Sequence, residues 1–197
     1  FAKKKFILVL REPISREFSW YKMWEQKCVT TIAKISTTDP AVCKKSGIFE
    51  LNDTIRANPR EFMYSFEEWV EHHPEVYTAS YYAEHIHRWL KVIKRDQLFI
   101  VNSDYVQQNT TDVAHRLARF LELPGSWQGK VEMPHSNYHP DFTAILPCAV
   151  CHKLESHYKP LNEKLYRLLS RDKQRKPRSE PDFPHFISNP CGTCIGK

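Results

Sequence analysis

The sequence lacks the features that would place the protein across a membrane or in a repeat architecture. No apolar run approaches the roughly eighteen residues that span a bilayer, and no segment recurs at a fixed period. An initiator methionine and an apolar signal segment are also missing, so we expect the chain to begin inside a longer protein that could carry a membrane anchor. The 197 residues, of which 41% are hydrophobic, predict one ordinary globular domain.

Acidic residues are the minority among the charged side chains. The chain has 29 lysines and arginines against 23 aspartates and glutamates, which gives a formal charge of +6. That excess indicates an anionic partner, which on charge alone could be nucleic acid, a nucleotide, a membrane surface or an acidic polysaccharide. A basic run from Arg171 to Arg178 is typical of a solvated, disordered tail. We therefore predict a domain over residues 1–170 and a basic, cysteine-containing tail over residues 171–197.

The cysteines and two glycosylation motifs indicate a secretory compartment. Asn52 and Asn109 each begin an Asn-x-Thr acceptor pattern. An even number of cysteines suits a disulfide framework, in which Cys28 and Cys43 could form a bridge of their own. Two C-x-x-C pairs also match the number and spacing of ligands in a four-thiolate zinc site. The cysteines could therefore form disulfides, remain free thiols or bind zinc, and disulfides are favoured. The disulfide candidates are Cys28, Cys43, Cys148, Cys151, Cys191 and Cys194.

Two short apolar runs, separated by helical patterns, predict an α/β fold with a parallel sheet. The runs cover residues 6–10 and 97–102, and both have the composition of buried strands. Pro13 fits the first turn of a helix that follows the first strand, whereas residues 29–58 predict a long loop. The predicted helices cover residues 13–27, 58–74, 80–94 and 110–123, with two short helices within residues 147–170.

Arg11 stands at the end of the first predicted strand, where a turn residue would be more usual. The carboxyl end of a parallel strand is a common ligand site in α/β proteins, and a helix start there adds backbone N–H groups and a positive dipole end. An arginine at that place can hold a phosphate through two charged hydrogen bonds; the alternative is a surface salt bridge with Glu12 or Glu17. Ser19, further along the helix, either shares that phosphate or is simply solvated.

Three segments of the chain resemble sulfotransferases that use 3′-phosphoadenosine 5′-phosphosulfate as donor. "KKFILVLREPISREFSWY" (residues 4–21) is similar to their 3′-phosphate-binding segment, an apolar strand followed by Arg-x-Pro, a second Arg, and Ser beside an aromatic. Residues 81–125 resemble the helix, strand and helix that come next, and "HPDF" with "LESHYKPLNEKLYRLL" resembles the closing helix pair. These segments occur in the family's order over residues 3–170, and the carbohydrate sulfotransferases of the heparan sulfate type are the most similar.

The resemblance implies a P-loop nucleoside-kinase-like three-layer sandwich with a parallel sheet, incomplete at the N-terminus. It also implies an enzyme of the Golgi lumen that transfers a sulfuryl group to a hydroxyl or amine of an anionic or neutral glycan, with no nucleic acid partner. Arg11 and Ser19 match the pair that binds the 3′-phosphate of the donor, or of the product 3′-phosphoadenosine 5′-phosphate.

The chain also departs from the family pattern. The 5′-phosphosulfate loop and the catalytic base have no counterpart and are expected upstream of Phe1, so the isolated chain is expected to be inactive. Met23 stands where glucosaminyl N-sulfotransferases carry a histidine, so their acceptor is not carried over. A different loop replaces a basic, glycine-containing one, and it supplies further candidates for cofactor contacts: Lys130, His135, Asn137 and His139.

Two other classes of function remain open on the sequence. The chain could be a non-catalytic module that binds a nucleotide or a glycan, or a zinc-stabilised domain that binds nucleic acid. Stoichiometric zinc would favour the second of these classes and exclude the disulfides.

Overall fold

The computed structural model describes residues 4–34, 53–124, 146–171, 175–186 and 190–193. Two strands, β1 (Phe6–Leu10) and β2 (Leu98–Asn102), lie among helices, with short 3-10 helices at Pro59–Phe62, Arg95–Gln97 and Pro190–Thr193. The α-helices are α1 (Pro13–Lys34), α2 (Asp53–Ala57), α3 (Phe66–His72), α4 (Glu75–Ala79), α5 (Tyr82–Trp89), α6 (Ser103–Gln108), α7 (Thr110–Leu121) and α8 (Cys148–Arg171).

The two strands pair in parallel, in a register that sets Phe6 opposite Leu98 and Leu10 opposite Asn102. Both predicted strands and their parallel pairing are confirmed. Every residue of β2 is buried, whereas β1 alternates between covered and exposed residues, so β1 is less enclosed than the sequence predicted. The two carboxyl ends lie at one edge of the sheet, with α1 following β1 and α6 following β2.

Helices cover β2 on both faces, which gives three layers. On one face Leu98 and Ile100 pack in a cluster with residues of α5 and α8, among them Ile86 and Leu165. On the other face Phe99 and Val101 pack with residues of α6 and α7. This sandwich confirms the predicted α/β class, because alternate side chains of a strand point to opposite layers.

The helix predicted to begin at Asn58 begins about two turns later, at Phe66. The Asn58 side chain accepts no capping hydrogen bond, and a 3-10 helix follows it. Ser65 caps α3 instead: its hydroxyl accepts from the Glu68 amide at 3.2 Å, and the Glu68 carboxylate accepts from the Ser65 amide at 2.7 Å. Such a reciprocal box satisfies two amide groups that the helix cannot pair itself. Pro74 follows the end of α3 and directly precedes α4.

The last predicted helix pair is a single long helix. Pro160 lies inside α8, yet buried residues continue on both sides of it at helical spacing, from Leu154 and Tyr158 to Leu165. The helix predicted from residue 110 is confirmed as α7, whereas α6, which ends just before Asn109, was not predicted. The ends of α5 and α7, at Trp89 and Leu121, lie within the predicted spans.

Part of the predicted tail is packed onto the sheet rather than solvated. Glu180 is 5% exposed and forms an ion pair with Arg95, which is 7% exposed. The same carboxylate accepts a hydrogen bond of 2.7 Å from the backbone amide of Ile100, in β2. Phe183 and Phe186 add apolar contacts to the cluster that α5 and α8 share. The segment over residues 175–186 therefore covers the sheet, which a sequence rich in lysine and arginine did not indicate.

A disulfide joins Cys151 of α8 to Cys191, across 40 positions of sequence. Cys28 and Cys148 are also disulfide-bonded. Three of the four thiols that could have formed the zinc site are thus used in disulfides, which argues against the zinc-stabilised alternative. Cys43 and Cys194 lie outside the described residues.

No helix in the described ranges combines the length and apolar character required to cross a bilayer.

Candidate functional site

The candidate site lies at the edge of the sheet where β1 and β2 end. Arg11 and Glu12 follow β1 directly, and Asn102 closes β2. Asn102 is fully buried, and its side-chain oxygen accepts a hydrogen bond of 2.8 Å from the amide of Asp104, which caps α6. Both strand ends therefore pass into capped helices at the edge where α/β sheets bind ligands.

Glu12 occupies the N-terminus of α1. Its two carboxylate oxygens accept hydrogen bonds from the backbone amides of Ile14, at 3.0 Å, and Ser15, at 2.6 Å. The amide groups expected to be available for a phosphate are therefore already paired with a side chain of the protein. Recognition of an anion at this edge must rest on side chains rather than on the helix start.

Arg11 is exposed and is not held by either glutamate that the sequence offered as a salt-bridge partner. Glu12 caps α1, and Glu17 is paired with Arg16. Among the described residues, no ion pair engages the Arg11 guanidinium. Its backbone is fixed, however, because the Tyr82 hydroxyl donates a hydrogen bond of 2.9 Å to the Arg11 carbonyl. The side chain is thus free to bind an anion while its anchor point is held.

Arg11 and Arg16 line one cleft of about 410 Å³ between β1, α1 and α5. Arg16 donates hydrogen bonds to the Ala79 carbonyl at 2.9 Å and to the Tyr82 hydroxyl at 3.3 Å, and its guanidinium lies 5.6 Å from the centre of the Tyr82 ring. Burial raises the pKa of the Tyr82 phenol, which keeps it a neutral donor and acceptor between the two arginines. One arginine is therefore fixed and the other is free, and both belong to the same cleft.

Ser19 does not line this cleft. It lies in α1, partly buried, three residues beyond Arg16 and on the same face of the helix. The structure brings Arg11 and Arg16 together and leaves Ser19 on the next turn, about 5 Å further along the helix axis.

Several predicted site residues lie outside the described part of the chain: Lys130, His135, Asn137, His139 and the glycosylation candidate Asn52. Asn109 is described and exposed, at the junction of α6 and α7, where its backbone amide donates to the Tyr105 carbonyl. Its side chain makes no capping bond to α7. Glycosylation at Asn109 remains a prediction.

Sequence reasoning missed Glu12, Arg16 and Tyr82 as parts of the site. A glutamate directly before Pro13 is a helix-start signal, since acidic groups favour the positive end of the dipole, so Glu12 could have been found. Arg16 falls within the quoted motif but has no distinguishing neighbour in sequence. Tyr82 reaches Arg11 across 71 positions, a contact that no local pattern indicates.

The burial of the Glu12 carboxyl group leads us to predict an unusual dependence of the protein's stability on pH. Burial raises its pKa above the ordinary value of 4.5, although the amides of Ser15 and Ile14 act in the opposite direction. An acid with a raised pKa in the folded state binds protons more readily there, so its contribution to stability is greatest below about pH 4.5 and is lost as pH rises through the raised pKa.

We expect the stability of the wild-type protein relative to Glu12→Gln to fall as pH rises from about 4.5. Urea unfolding of both proteins at several pH values measures this difference, and the shared titrations of all other groups cancel. If the difference increased with pH, the two amide hydrogen bonds would outweigh burial and the inferred direction would be wrong.

Comparison with known proteins assigns the chain to a family. The family model described as the sulfotransferase domain matches residues 1–157. All the described residues that line the cleft lie within that range. A human protein, bifunctional heparan sulfate N-deacetylase/N-sulfotransferase 3, is 27% identical over 192 residues. That match covers 95% of this chain but 18% of the human protein, so the chain spans less than a fifth of that relative's length. Because the family match extends over most of the chain, the chain belongs to the sulfotransferase domain family.

Proposed function

We propose that the cleft is the 3′-phosphate subsite of a sulfotransferase whose donor is 3′-phosphoadenosine 5′-phosphosulfate. Arg11 binds the 3′-phosphate, whereas Arg16 is paired with Glu17 and holds Tyr82 in place through a hydrogen bond. Ser19 can contribute a hydroxyl to the same phosphate from the following turn of α1. One observation carries this proposal: Arg11 is exposed and forms no ion pair among the described residues. Its backbone is held by Tyr82 at the carboxyl end of a parallel strand.

The chemistry of sulfuryl transfer explains why such a subsite is useful. Like phosphoryl transfer, it depends mainly on in-line positioning and on stabilisation of charge. The 3′-phosphate is remote from the reacting sulfur, so the protein can bind it in the same way throughout the reaction. Tyr82 holds the backbone of Arg11, so the arginine side chain can bind that phosphate from a defined position.

The proposed acceptor is a hydroxyl or amine of a glycan in the Golgi lumen. The human relative carries heparan sulfate N-sulfotransferase in its name. The disulfide between Cys151 and Cys191 suits an oxidising compartment, and the exposed Asn109 sits in a glycosylation motif. A positively charged chain also suits an acceptor that carries negative charge.

Calorimetric titration with 3′-phosphoadenosine 5′-phosphate tests the proposal without requiring turnover. We expect the wild-type chain to bind, and Arg11→Ala to weaken binding about 10- to 100-fold, because charged hydrogen bonds to one phosphate are lost. Arg119→Ala, which removes an exposed arginine on α7, is the matched control and should leave binding unchanged. Equal affinities for the wild type and Arg11→Ala would contradict the assignment of Arg11.

Ser19→Ala gives a separate test of the second residue. We expect about tenfold weaker binding of the same nucleotide, as one hydroxyl hydrogen bond to a charged group is removed. Ser156→Ala, at an exposed position of α8, serves as the control. Unchanged affinity for Ser19→Ala would remove Ser19 from the subsite while leaving the role of Arg11 intact.

A further inference from the structure

A second site follows from a basic groove between α5 and α8. The groove has a volume of about 580 Å³ and shares no lining residue with the donor cleft, although both border α5. Ala83 and Leu168 form its apolar floor, and long charged side chains form its walls. Neither the fold nor the donor subsite accounts for these charges.

The walls of the groove carry a strong excess of positive charge. Four permanent cations line it, Arg88, Lys164, Arg167 and Arg171, against one carboxylate, Glu84. Glu84 lies 3.4 Å from Lys164, and their side chains are 38% and 53% exposed, so this ion pair is weak and can be exchanged for an anionic ligand.

The other three cations are free to meet an anion. Arg167 donates one hydrogen bond, from its Nε, to the Glu163 carbonyl in its own helix, and its other donors are available. Arg88 contacts His85 through one Nη, at 3.2 Å. Arg171 is exposed, and no ion pair is formed by it within the described ranges.

The cationic side chains of α8 are arranged along the groove rather than converging on one position. Lys164, Arg167 and Arg171 follow one another at spacings of three and four residues, which places them on one face of α8 over about 10 Å. A linear array of this kind fits an extended polyanion with repeated charges. A single phosphate would instead be held by groups that converge on one position.

The composition of the walls distinguishes between polyanions. The described walls contain no phenylalanine, tyrosine or tryptophan on which nucleic acid bases could stack. They also lack the large exposed apolar side chains with which a helix enters a lipid surface. Sulfate and carboxylate groups along a saccharide need neither feature, because cationic side chains bind them directly.

We propose that the groove between α5 and α8 binds a sulfated stretch of a glycan chain, outside the donor cleft. The choice of a glycan rests on the proposed function, in which the chain modifies a polysaccharide. Such a site would hold the polymer after part of it has been sulfated, while a further segment is presented for reaction. The site does not require the nucleotide to be bound.

Titration of the chain with a heparin decasaccharide tests this inference. We expect the triple variant Lys164→Ala/Arg167→Ala/Arg171→Ala to bind about tenfold more weakly, the ratio expected for three solvent-exposed ion pairs, with a smaller dependence on salt. The matched control is Lys91→Ala/Arg119→Ala/Lys159→Ala, which removes the same charge from exposed positions outside the groove. We expect the control to bind like the wild type, and the thermal midpoint of each variant shows that it is folded.

The outcomes separate the groove from the donor site. Equal losses of affinity in both triple variants, or no binding of the decasaccharide by the wild type, would contradict the proposal that the groove binds a sulfated glycan. A preference for oligo-dT or for phosphatidylserine vesicles over the decasaccharide would also overturn it, in favour of nucleic acid or a membrane. Titration with 3′-phosphoadenosine 5′-phosphate is carried out in parallel. If the chain binds the nucleotide but not the glycan, the proposed function stands and the groove proposal fails. If it binds the glycan but not the nucleotide, the proposed function fails and the groove proposal stands.

Discussion

Glu180→Ala should destabilise the protein by about 3–5 kcal/mol, because it leaves the guanidinium of Arg95 buried without its counter-charge. Arg95 donates two hydrogen bonds to Glu180, one of them 3.0 Å long, and both side chains are almost fully buried. The variant also removes the acceptor for the backbone amide of Ile100, in β2. Urea unfolding at neutral pH measures the change in free energy.

Asp182→Ala is the matched control for this prediction. Asp182 lies two residues away, and its ion pair with Lys176 is at the surface, where the Asp182 side chain is 67% exposed. Its loss should cost less than about 1 kcal/mol. The double variant Arg95→Met/Glu180→Leu should be more stable than Glu180→Ala, since no unpaired charge remains buried. Comparable small effects of Glu180→Ala and Asp182→Ala would show that residues 175–186 do not cover the sheet.

Removing the disulfide with Cys151→Ala/Cys191→Ala should cost about 4 kcal/mol. The bond spans 40 positions, and a cross-link over a loop of that length restricts the unfolded chain by about this amount of free energy. Cys151 is fully buried in the cluster that joins α1, α3 and α8. The loss of its sulfur from that cluster adds to the effect. Equilibrium unfolding in urea without reductant is the measurement.

Val150→Ala controls for packing in the disulfide prediction. Val150 is 2% exposed in the same cluster, and the substitution removes buried methyl groups without touching the cross-link. Its cost should be about 1–2 kcal/mol. A double cysteine variant no less stable than Val150→Ala would mean that the cross-link contributes nothing beyond packing.

The features that the sequence predicted well are those set by local chemistry. An apolar run bounded by lysines and by Arg11 predicts β1, and Pro13 predicts the start of α1. The position of Arg11 at the carboxyl end of a parallel strand followed directly from these two elements. The predicted start of α3 at Asn58 was wrong, because Ser65 also fits a helix cap and only the folded chain shows that Ser65 and Glu68 pair.

The features that the sequence did not predict depend on contacts between distant residues. Arg95 and Glu180 are 85 positions apart, and each on its own looks like a solvated charge. Their pairing turns a predicted tail into part of the sheet's cover. The Tyr82 contacts with Arg11 and Arg16 are of the same kind. Arg11 could therefore be proposed from the sequence, whereas the residues that hold its surroundings could not.

We propose that Arg11 recognises the 3′-phosphate of the nucleotide and no other part of it. Calorimetry with two ligands tests this most directly: 3′-phosphoadenosine 5′-phosphate and adenosine 5′-phosphate, which lacks the 3′-phosphate, each titrated into the wild type and Arg11→Ala. We predict that Arg11→Ala weakens the first ligand about 10- to 100-fold, toward the affinity of the second, and leaves the second unchanged. Equal weakening of both ligands, or of neither, would contradict the claim.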